Sequence, residues 1–235
     1  MNPIPPRLDI LVIAAHPDDA EISMGATITQ LVSQRKQVGI LDLSDGEPTP
    51  RGTPEIRRAE TVNATNVLGV AWRGNLGLPN RSIQHTLEAR KQLASVMRLC
   101  QAPWIFAPYW IDAHPDHVVT SDLSEAARFW AKLSKTDMPG EPFHPTRIYH
   151  YYSVHLKQAI QPAFIVDVTD SWDNKMAAVR CYPSQFDGPA DDDTSSFYDR
   201  LDVAGQHWGH LIGTEYGEPF TCREPIGLTS LDSLF

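Results

Sequence analysis

The apolar positions in the first part of the chain change their spacing in a regular way, which indicates strands alternating with helices. Residues 8–15 form a short, continuous apolar run, typical of a buried parallel strand. The next segment, 19–35, has apolar residues at helical spacing, and the pattern of 37–44 indicates a second strand. This succession has the length of a βαβ unit, so the pattern predicts a parallel sheet.

The same alternation continues through most of the chain. A helix over 54–68 is predicted to begin after Thr53 and to end at Gly69, because Thr-Pro favours a helix start and glycine favours a left-handed helix end. Further strands are predicted at 70–76, 103–109, 147–155 and 163–169, further helices at 82–100, 116–134, 171–182 and 198–211, and a loop at 184–197. The stretch after 211 is predicted to be mostly irregular. We therefore predict an α/β, Rossmann-like fold with a mostly parallel sheet flanked by helices.

The length and composition fit one globular domain. The chain has 235 residues, of which 42% are hydrophobic and 21% are charged, values that are ordinary for a folded domain of this size. We expect a single domain over 1–235, in which the loop-rich part 135–235 forms a cap segment over the sheet.

The net charge indicates which class of partner to expect. The cysteines and the N-terminal segment indicate the cellular compartment. A net charge of −9 argues against nucleic acid or an anionic membrane as the main partner. The 3 cysteines are widely spaced and form no CxxC motif, which fits reduced thiols in a cytoplasmic protein. The N-terminal segment has neither a basic region nor a cleavable apolar region, and its apolar run is too short to span a membrane. We expect a cytoplasmic protein.

Two short polar segments stand at strand-to-helix boundaries, where α/β proteins place their chemistry. The segments 16–19 (HPDD) and 114–117 (HPDH) each follow a predicted strand and precede a predicted helix. In doubly wound sheets, ligands bind beyond the carboxyl ends of the strands, where the strand order reverses. A strand order of 3-2-1-4-5 would place these two segments on either side of that crevice. The topology therefore predicts that they meet.

The residue types in the two segments are those of a catalytic metal site. His16 and Asp19 are three positions apart, as are His114 and His117, and at a helical corner this spacing puts both members of a pair on one face. Two imidazoles and one carboxylate, with one position open for water, form a common catalytic zinc site. The set is also close to the facial triad of non-haem iron. The spacing therefore predicts one divalent cation.

The remaining side chains of the segments can supply acid–base chemistry. Asp18 would lie beside the cation without binding it, where a carboxylate can take a proton from water. The histidine that does not bind the cation could stabilise negative charge on the substrate or protonate a leaving group. Asp116 could hold that imidazole in one tautomer. Together these residues predict a metal-dependent hydrolase.

Several of these features also have a simpler interpretation. Either segment alone also fits a turn whose acids merely favour a helix N-terminus, and only their joint placement favours catalysis. The other histidines have no partner motif and are expected on the surface or in the core; they are His85, His144, His150, His155, His207 and His210. From the residues alone, loop packing is the expected role of Glu47, Gln185 and Tyr198.

Five stretches of the chain match a known family in the same order: AHPDDAEISMGATI, NLGLPN, FAPYWIDAHPDH, SQF and GTEYGEPF. They resemble the LmbE/PIG-L family of metal-dependent N-acetylglucosaminyl deacetylases, and most of all its BshB-type branch, which acts in bacillithiol biosynthesis. The resemblance extends from residue 8 to residue 225 and implies a Rossmann-like fold. It also implies a homo-oligomer.

The resemblance assigns a role to each residue of the two segments. It implies Zn²⁺, with Fe²⁺ or another divalent cation as the alternative, bound by His16, Asp19 and His117. It implies that Asp18 is the general base. It also implies that His114, paired with Asp116, is the charge-stabilising or acid residue.

Two further residues are implied to contact the substrate. Arg57, on the helix predicted at 54–68, matches the substrate-binding arginine of the family. Tyr198 matches a tyrosine that assists oxyanion binding, although Phe197 competes for that position.

The resulting functional hypothesis is the zinc-dependent removal of an N-acetyl group from a GlcNAc-type sugar such as GlcNAc-malate, with release of acetate. An amidase of thiol-sugar conjugates would share the fold and the cation site. A metal-dependent sugar-binding protein without turnover is the third hypothesis. In each case the expected partner is a small amino-sugar molecule.

Overall fold

The computed structural model of the protein describes residues 4–155, 160–187 and 196–230. In chain order its elements are β1 (Ile10–Ala14), α1 (Asp19–Ser33), β2 (Val38–Ser44), α2 (Pro54–Leu68), β3 (Trp72–Leu78), α3 (Leu87–Cys100), β4 (Trp104–Pro108), α4 (Pro115–Ala131), β5 (Arg147–Tyr151), β6 (Phe164–Asp167), α5 (Trp172–Val179), α6 (Pro183–Phe186), α7 (Phe197–Ile212) and β7 (Gly217–Thr221), with a 3₁₀ turn at Thr169–Ser171 before α5.

The strands form one seven-stranded sheet in the order β3-β2-β1-β4-β5-β7-β6. The first five strands of this order are parallel, and β7 is antiparallel to both β5 and β6. The predicted α/β class, the mostly parallel sheet and the 3-2-1-4-5 order are confirmed. Because β1 and β4 are neighbours, the two histidine segments leave the sheet at the same edge.

Helices cover both faces of the sheet, and β1 shows how its residues divide between them. Leu11 and Ile13 belong to the core under α3 and α4, whereas Ile10 and Val12 belong to the core under α1. All five residues of β1 are buried, as expected for a central parallel strand. No helix within the described residues combines the length and the apolar composition needed to cross a bilayer.

Both ends of α2 have the capping residues that the sequence predicts. The hydroxyl of Thr53 accepts a hydrogen bond from the backbone N–H of Ile56 at 3.3 Å. Pro54 occupies the first turn, and Gly69 adopts a left-handed conformation with φ 69° at the C-terminal end.

The structure differs from the sequence prediction in the last third of the chain. The stretch after 211 was expected to be irregular, but Gly217–Thr221 forms β7 and lies between β5 and β6. The strand predicted at 147–155 ends at Tyr151, and residues 152–155 do not continue it. The predicted loop 184–197 overlaps the short helix α6, and its residues 188–195 lie outside the described part of the chain.

Candidate metal centre and active site

The turn between β1 and α1 presents His16, Asp18 and Asp19. The backbone N–H of His16 donates to the Asp19 carboxylate at 2.9 Å, which closes the turn. Asp18, at the N-terminal end of α1, has φ 113° and ψ −27°. Such a positive φ is costly for a residue other than glycine and is often found at functional sites. All three side chains are buried.

The second segment begins α4 directly opposite this turn. His114 is the N-cap of α4, and its Nδ1 accepts a hydrogen bond from the backbone N–H of Asp116 at 3.2 Å. Pro115 occupies the first turn of the helix, where proline is well tolerated. The ring of His16 lies 4.8 Å from that of His114 and 5.5 Å from that of His117, measured between centroids. The two segments therefore meet as the topology predicts.

The side chains of His16, Asp19 and His117 converge on one point. His16 Nδ1 lies 3.3 Å from Asp19 Oδ2, and His117 Nε2 lies 3.2 Å from Asp19 Oδ1. Two ligand atoms at about 2.1 Å from one cation and a near-tetrahedral angle would lie about 3.4 Å apart. His117 Nε2 is buried, and although Asp19 Oδ1 is this close, no described residue forms a hydrogen bond of regular geometry with it. These donor atoms fit a divalent cation.

Electrostatics also favour a cation at this point. Burial would raise the pKa of the Asp19 carboxyl, but His117 and His16 hold it well below its usual range. Burial lowers the pKa of His117, yet Asp19 and Asp112 outweigh this effect and raise it to about 10. The cluster therefore keeps Asp19 ionised and favours a positive charge beside it, which a cation can supply in place of the His117 proton.

Asp112 supports His117 and was not identified from the sequence. Its Oδ2 lies 3.0 Å from His117 Nδ1, and its Oδ1 accepts from the backbone N–H of His114 at 2.8 Å. A carboxylate on the second ring nitrogen fixes the orientation of a metal-binding histidine. The sequence feature that could have indicated this role is the position of Asp112, two residues before the HPDH segment.

Asp116 has contacts that differ from the predicted pairing with His114. Its carboxylate accepts from the backbone N–H groups of Arg81 and Ile83 at 2.8 and 3.2 Å, and Oδ2 lies 3.2 Å from His16 Nε2. The backbone N–H of Asp116, rather than its carboxylate, contacts His114. The reason is that the loop over 81–83 lies against the carboxylate. Asp116 is thus placed to orient His16.

Asp18 and Arg57 form a buried ion pair at 2.8 Å. Burial raises the pKa of the Asp18 carboxyl to about 7, although the Arg57 guanidinium opposes this rise. The guanidinium also donates to the carbonyl of Pro17, while its Nε and Nη1 have no hydrogen-bond partner among the described residues. The structure therefore places Arg57 directly against Asp18, at the border of the cavity where a substrate contact was predicted.

The other predicted substrate residue, Tyr198, is directed elsewhere. Its hydroxyl donates to Asp187 at 2.7 Å, whereas the neighbouring Phe197 lines the cavity that also contains His16 and His117. That cavity has a volume of about 310 Å³. His155, expected on the surface or in the core, also lines it, and its ring centroid lies 5.6 Å from that of His117. No sequence motif indicates this position of His155, because it results from the path of the chain after β5.

Several known proteins are similar to this chain. A solved structure of a conserved protein from Thermus thermophilus superposes with a TM-score of 0.86 at 36% identity, over 94% of this chain and 97% of that one. A diacetylchitobiose deacetylase from Thermococcus kodakarensis is 28% identical over 89% of this chain and 80% of its own length. A 4-oxalmesaconate hydratase from Pseudomonas putida is 26% identical over 77% of this chain and 75% of its own.

A protein-family model also matches this chain, over about half of its length. Residues 11–128 match the PIG-L family, described as GlcNAc-PI de-N-acetylase. The matched region contains β1 from Leu11 onwards, β4 and both histidine segments, and so includes His16, Asp19 and His117. The chain therefore belongs to the PIG-L family of de-N-acetylases.

Proposed function

We propose that the protein is a metal-dependent deacetylase that removes the acetyl group from a sugar of the N-acetylglucosamine type. The observation that carries this proposal is the convergence of His16, Asp19 and His117, whose ligand atoms all lie within 4.8 Å of one another, beside the buried carboxylate of Asp18. A Lewis acid next to a base is the arrangement that amide hydrolysis needs. The diacetylchitobiose deacetylase among the relatives supports an N-acetyl sugar as substrate.

The residues that would hold the cation are His16, Asp19 and His117. Their two imidazoles and one carboxylate suit Zn²⁺, and Fe²⁺ is the alternative. When bound, such a cation lowers the pKa of water and polarises the acetamide carbonyl.

Asp18 would act as the general base. Burial raises the pKa of its carboxyl above the usual range of an aspartate, which makes the carboxylate a stronger proton acceptor for water. Arg57 fixes one carboxylate oxygen at 2.8 Å and so orients the other. As a carbon–oxygen bond forms and the carbon–nitrogen bond breaks, the proton taken from water passes to the leaving amine. The products are acetate and the free amino sugar.

His114 would stabilise the negative charge that develops on the carbonyl oxygen. Burial lowers the pKa of its imidazole, and His117 and His16 lower it further, so the neutral form is favoured. Because Nδ1 accepts the backbone N–H of Asp116, the proton of the neutral ring is on Nε2. His114 lines the cavity, so this N–H is available as a hydrogen-bond donor to the substrate.

We predict that His114→Ala folds and binds the cation but turns over about 10²–10³-fold more slowly, the usual effect of losing one oxyanion donor. Metal content and kcat should be measured on the same preparation. His144→Ala, on a surface loop, serves as the matched control. A kcat equal to that of the unmodified enzyme would remove His114 from the mechanism.

We predict that Asp112→Ala weakens cation binding about 10–100-fold, because His117 loses the carboxylate that orients its ring. A competition titration with a zinc chelator measures this change. Asp122→Ala, which removes only an exposed partner of Arg223, should leave the affinity unchanged. Equal affinities for the two variants would mean that Asp112 does not support the site.

The substrate is tested by an acetate-release screen with Zn²⁺, Co²⁺ or Fe²⁺. Diacetylchitobiose, N-acetylglucosamine, chitooligosaccharides and GlcNAc-malate are the substrates, and turnover of GlcNAc-malate above the others would support the BshB-type branch. Cleavage of a thiol-sugar conjugate amide without acetate release would indicate the amidase. Sugar binding without any acetate, with each metal supplied, would contradict the proposed reaction.

A further inference from the structure

Helix α1 is interrupted shortly after the residues that it contributes to the cation site. Met24 has φ −145° and ψ 24°, which are not helical, so the helix consists of a first turn carrying Asp19 and a longer second part. A helix that restarts in this way leaves backbone N–H groups without partners inside the helix. Ala26 and Thr27, which follow the break, are buried, so water does not satisfy their backbone N–H groups.

The restarted helix is capped by a side chain from β7. Glu218 accepts from the backbone N–H of Ala26 at 3.2 Å with Oε1 and from that of Thr27 at 2.7 Å with Oε2. Lys175 on α5 donates to Glu218 Oε1 at 2.6 Å. The side chains of Lys175 and Glu218 are only 3% and 1% exposed. The break in α1 is thus capped by a fully buried ion pair.

The fit around this pair is close. A Cβ atom at Gly25 would lie 3.2 Å from Lys175 Cγ, so a larger residue there would press on the lysine side chain. Lys175 Nζ also lies 4.8 Å from the ring centroid of Trp172. Glu218 belongs to the GTEYGEPF stretch, to which the proposed reaction assigns no role.

Burial of a charged pair does not by itself account for this arrangement. The loss of hydration of two buried charges often cancels their attraction, and such pairs are better explained where they select one conformation. Here the selected conformation is the break at Met24. Ile22 and Ser23, which precede the break, line the cavity of the cation site. An unbroken helix would align the first turn with the axis of the second part and redirect Asp19.

We propose that Glu218, held by Lys175, is a positioning residue for the cation site: by capping the second part of α1 it sets the direction of the first turn and thereby of Asp19. The inference rests on the proposed function only in taking His16, Asp19 and His117 as the cation ligands. It does not depend on which sugar is deacetylated.

The first test uses the unmodified chain and Co²⁺ alone. If the cap and the cation site are coupled, Co²⁺ binding must stabilise the cap, because the coupling between two sites is reciprocal. Hydrogen exchange at the amides of Ala26 and Thr27 should slow by a larger factor than exchange at the amides of α3, which report general stabilisation. An equal factor at both places would overturn the proposal.

The second test uses Glu218→Gln, which loses the charge and retains one acceptor. We expect about tenfold faster exchange at Ala26 and Thr27 and about tenfold weaker Co²⁺ binding, with an altered Co²⁺ visible spectrum. Glu224→Gln is the control, since it breaks the partly buried pair with Arg128 far from the site. Native Co²⁺ affinity and spectrum in Glu218→Gln would mean that the pair is merely structural.

The double variant Lys175→Met/Glu218→Gln keeps the test decisive if the single variant does not fold, since it leaves no unpaired buried lysine. We expect the double variant to bind Co²⁺ weakly as well, and native affinity would contradict the proposal. Neither readout involves a sugar. Failure to release acetate would therefore defeat the proposed reaction without affecting this inference.

Discussion

Replacing Asp18 with asparagine is expected to lower kcat by about two to four orders of magnitude, the usual contribution of a general base. Asparagine has nearly the same shape, can still accept the hydrogen bond from Arg57, and tolerates the positive φ of 113° better than most residues. It cannot take a proton from water. The fold and the cation site should therefore survive while turnover is lost.

The measurement for Asp18→Asn is kcat together with the metal content per chain. Asp9→Asn, which changes an exposed carboxylate that accepts from the backbone of Gln37, is the control and should leave both values unchanged. Loss of the metal in Asp18→Asn would identify Asp18 as a ligand. An unchanged kcat with metal retained would exclude it as the base.

Replacing Asp19 with alanine is expected to have the largest effect of all. Asp19 faces both His16 and His117, so its removal leaves two imidazoles without the carboxylate that holds the cation between them. The cation should be lost on dialysis, and kcat should fall by more than the roughly 10²–10⁴-fold expected from loss of the base alone.

The neighbouring variant Asp18→Asn is the matched control for Asp19→Ala, because both remove a buried carboxylate from the same turn. Metal analysis after dialysis and thermal unfolding with and without added Zn²⁺ distinguish them. Zn²⁺ should raise the unfolding temperature of Asp18→Asn but not that of Asp19→Ala. A zinc-dependent rise in Asp19→Ala would show that the cation binds elsewhere.

The sheet order and the convergence of the two histidine segments were predictable because they depend on local signals. The apolar runs of β1 and β4 and the polar corners that follow them are visible in the sequence, and parallel topology then brings the corners together. Strand β7 was not predictable in this way. Its sequence includes Glu218 and Pro219, which disfavour strands, and it forms through pairing with β5 and β6.

The residues that orient the cation ligands or face the substrate were harder to predict than the ligands themselves. Their contacts depend on the paths of loops and on side-chain directions. Asp116 was expected at His114 but contacts His16 and the loop over 81–83. The same limit applies to Tyr198 and Phe197, which are adjacent in sequence and point to different surroundings. Only the three-dimensional path of the chain decides such contacts.

The central claim is that one divalent cation is bound by side chains from the ends of β1 and β4. Anomalous X-ray scattering at the zinc absorption edge, from crystals grown with Zn²⁺, tests it directly. We predict one strong peak at about 2.0–2.2 Å from His16 Nδ1, an Asp19 carboxylate oxygen and His117 Nε2. A peak at another position, or these three side chains surrounded by solvent without a peak, would contradict the account.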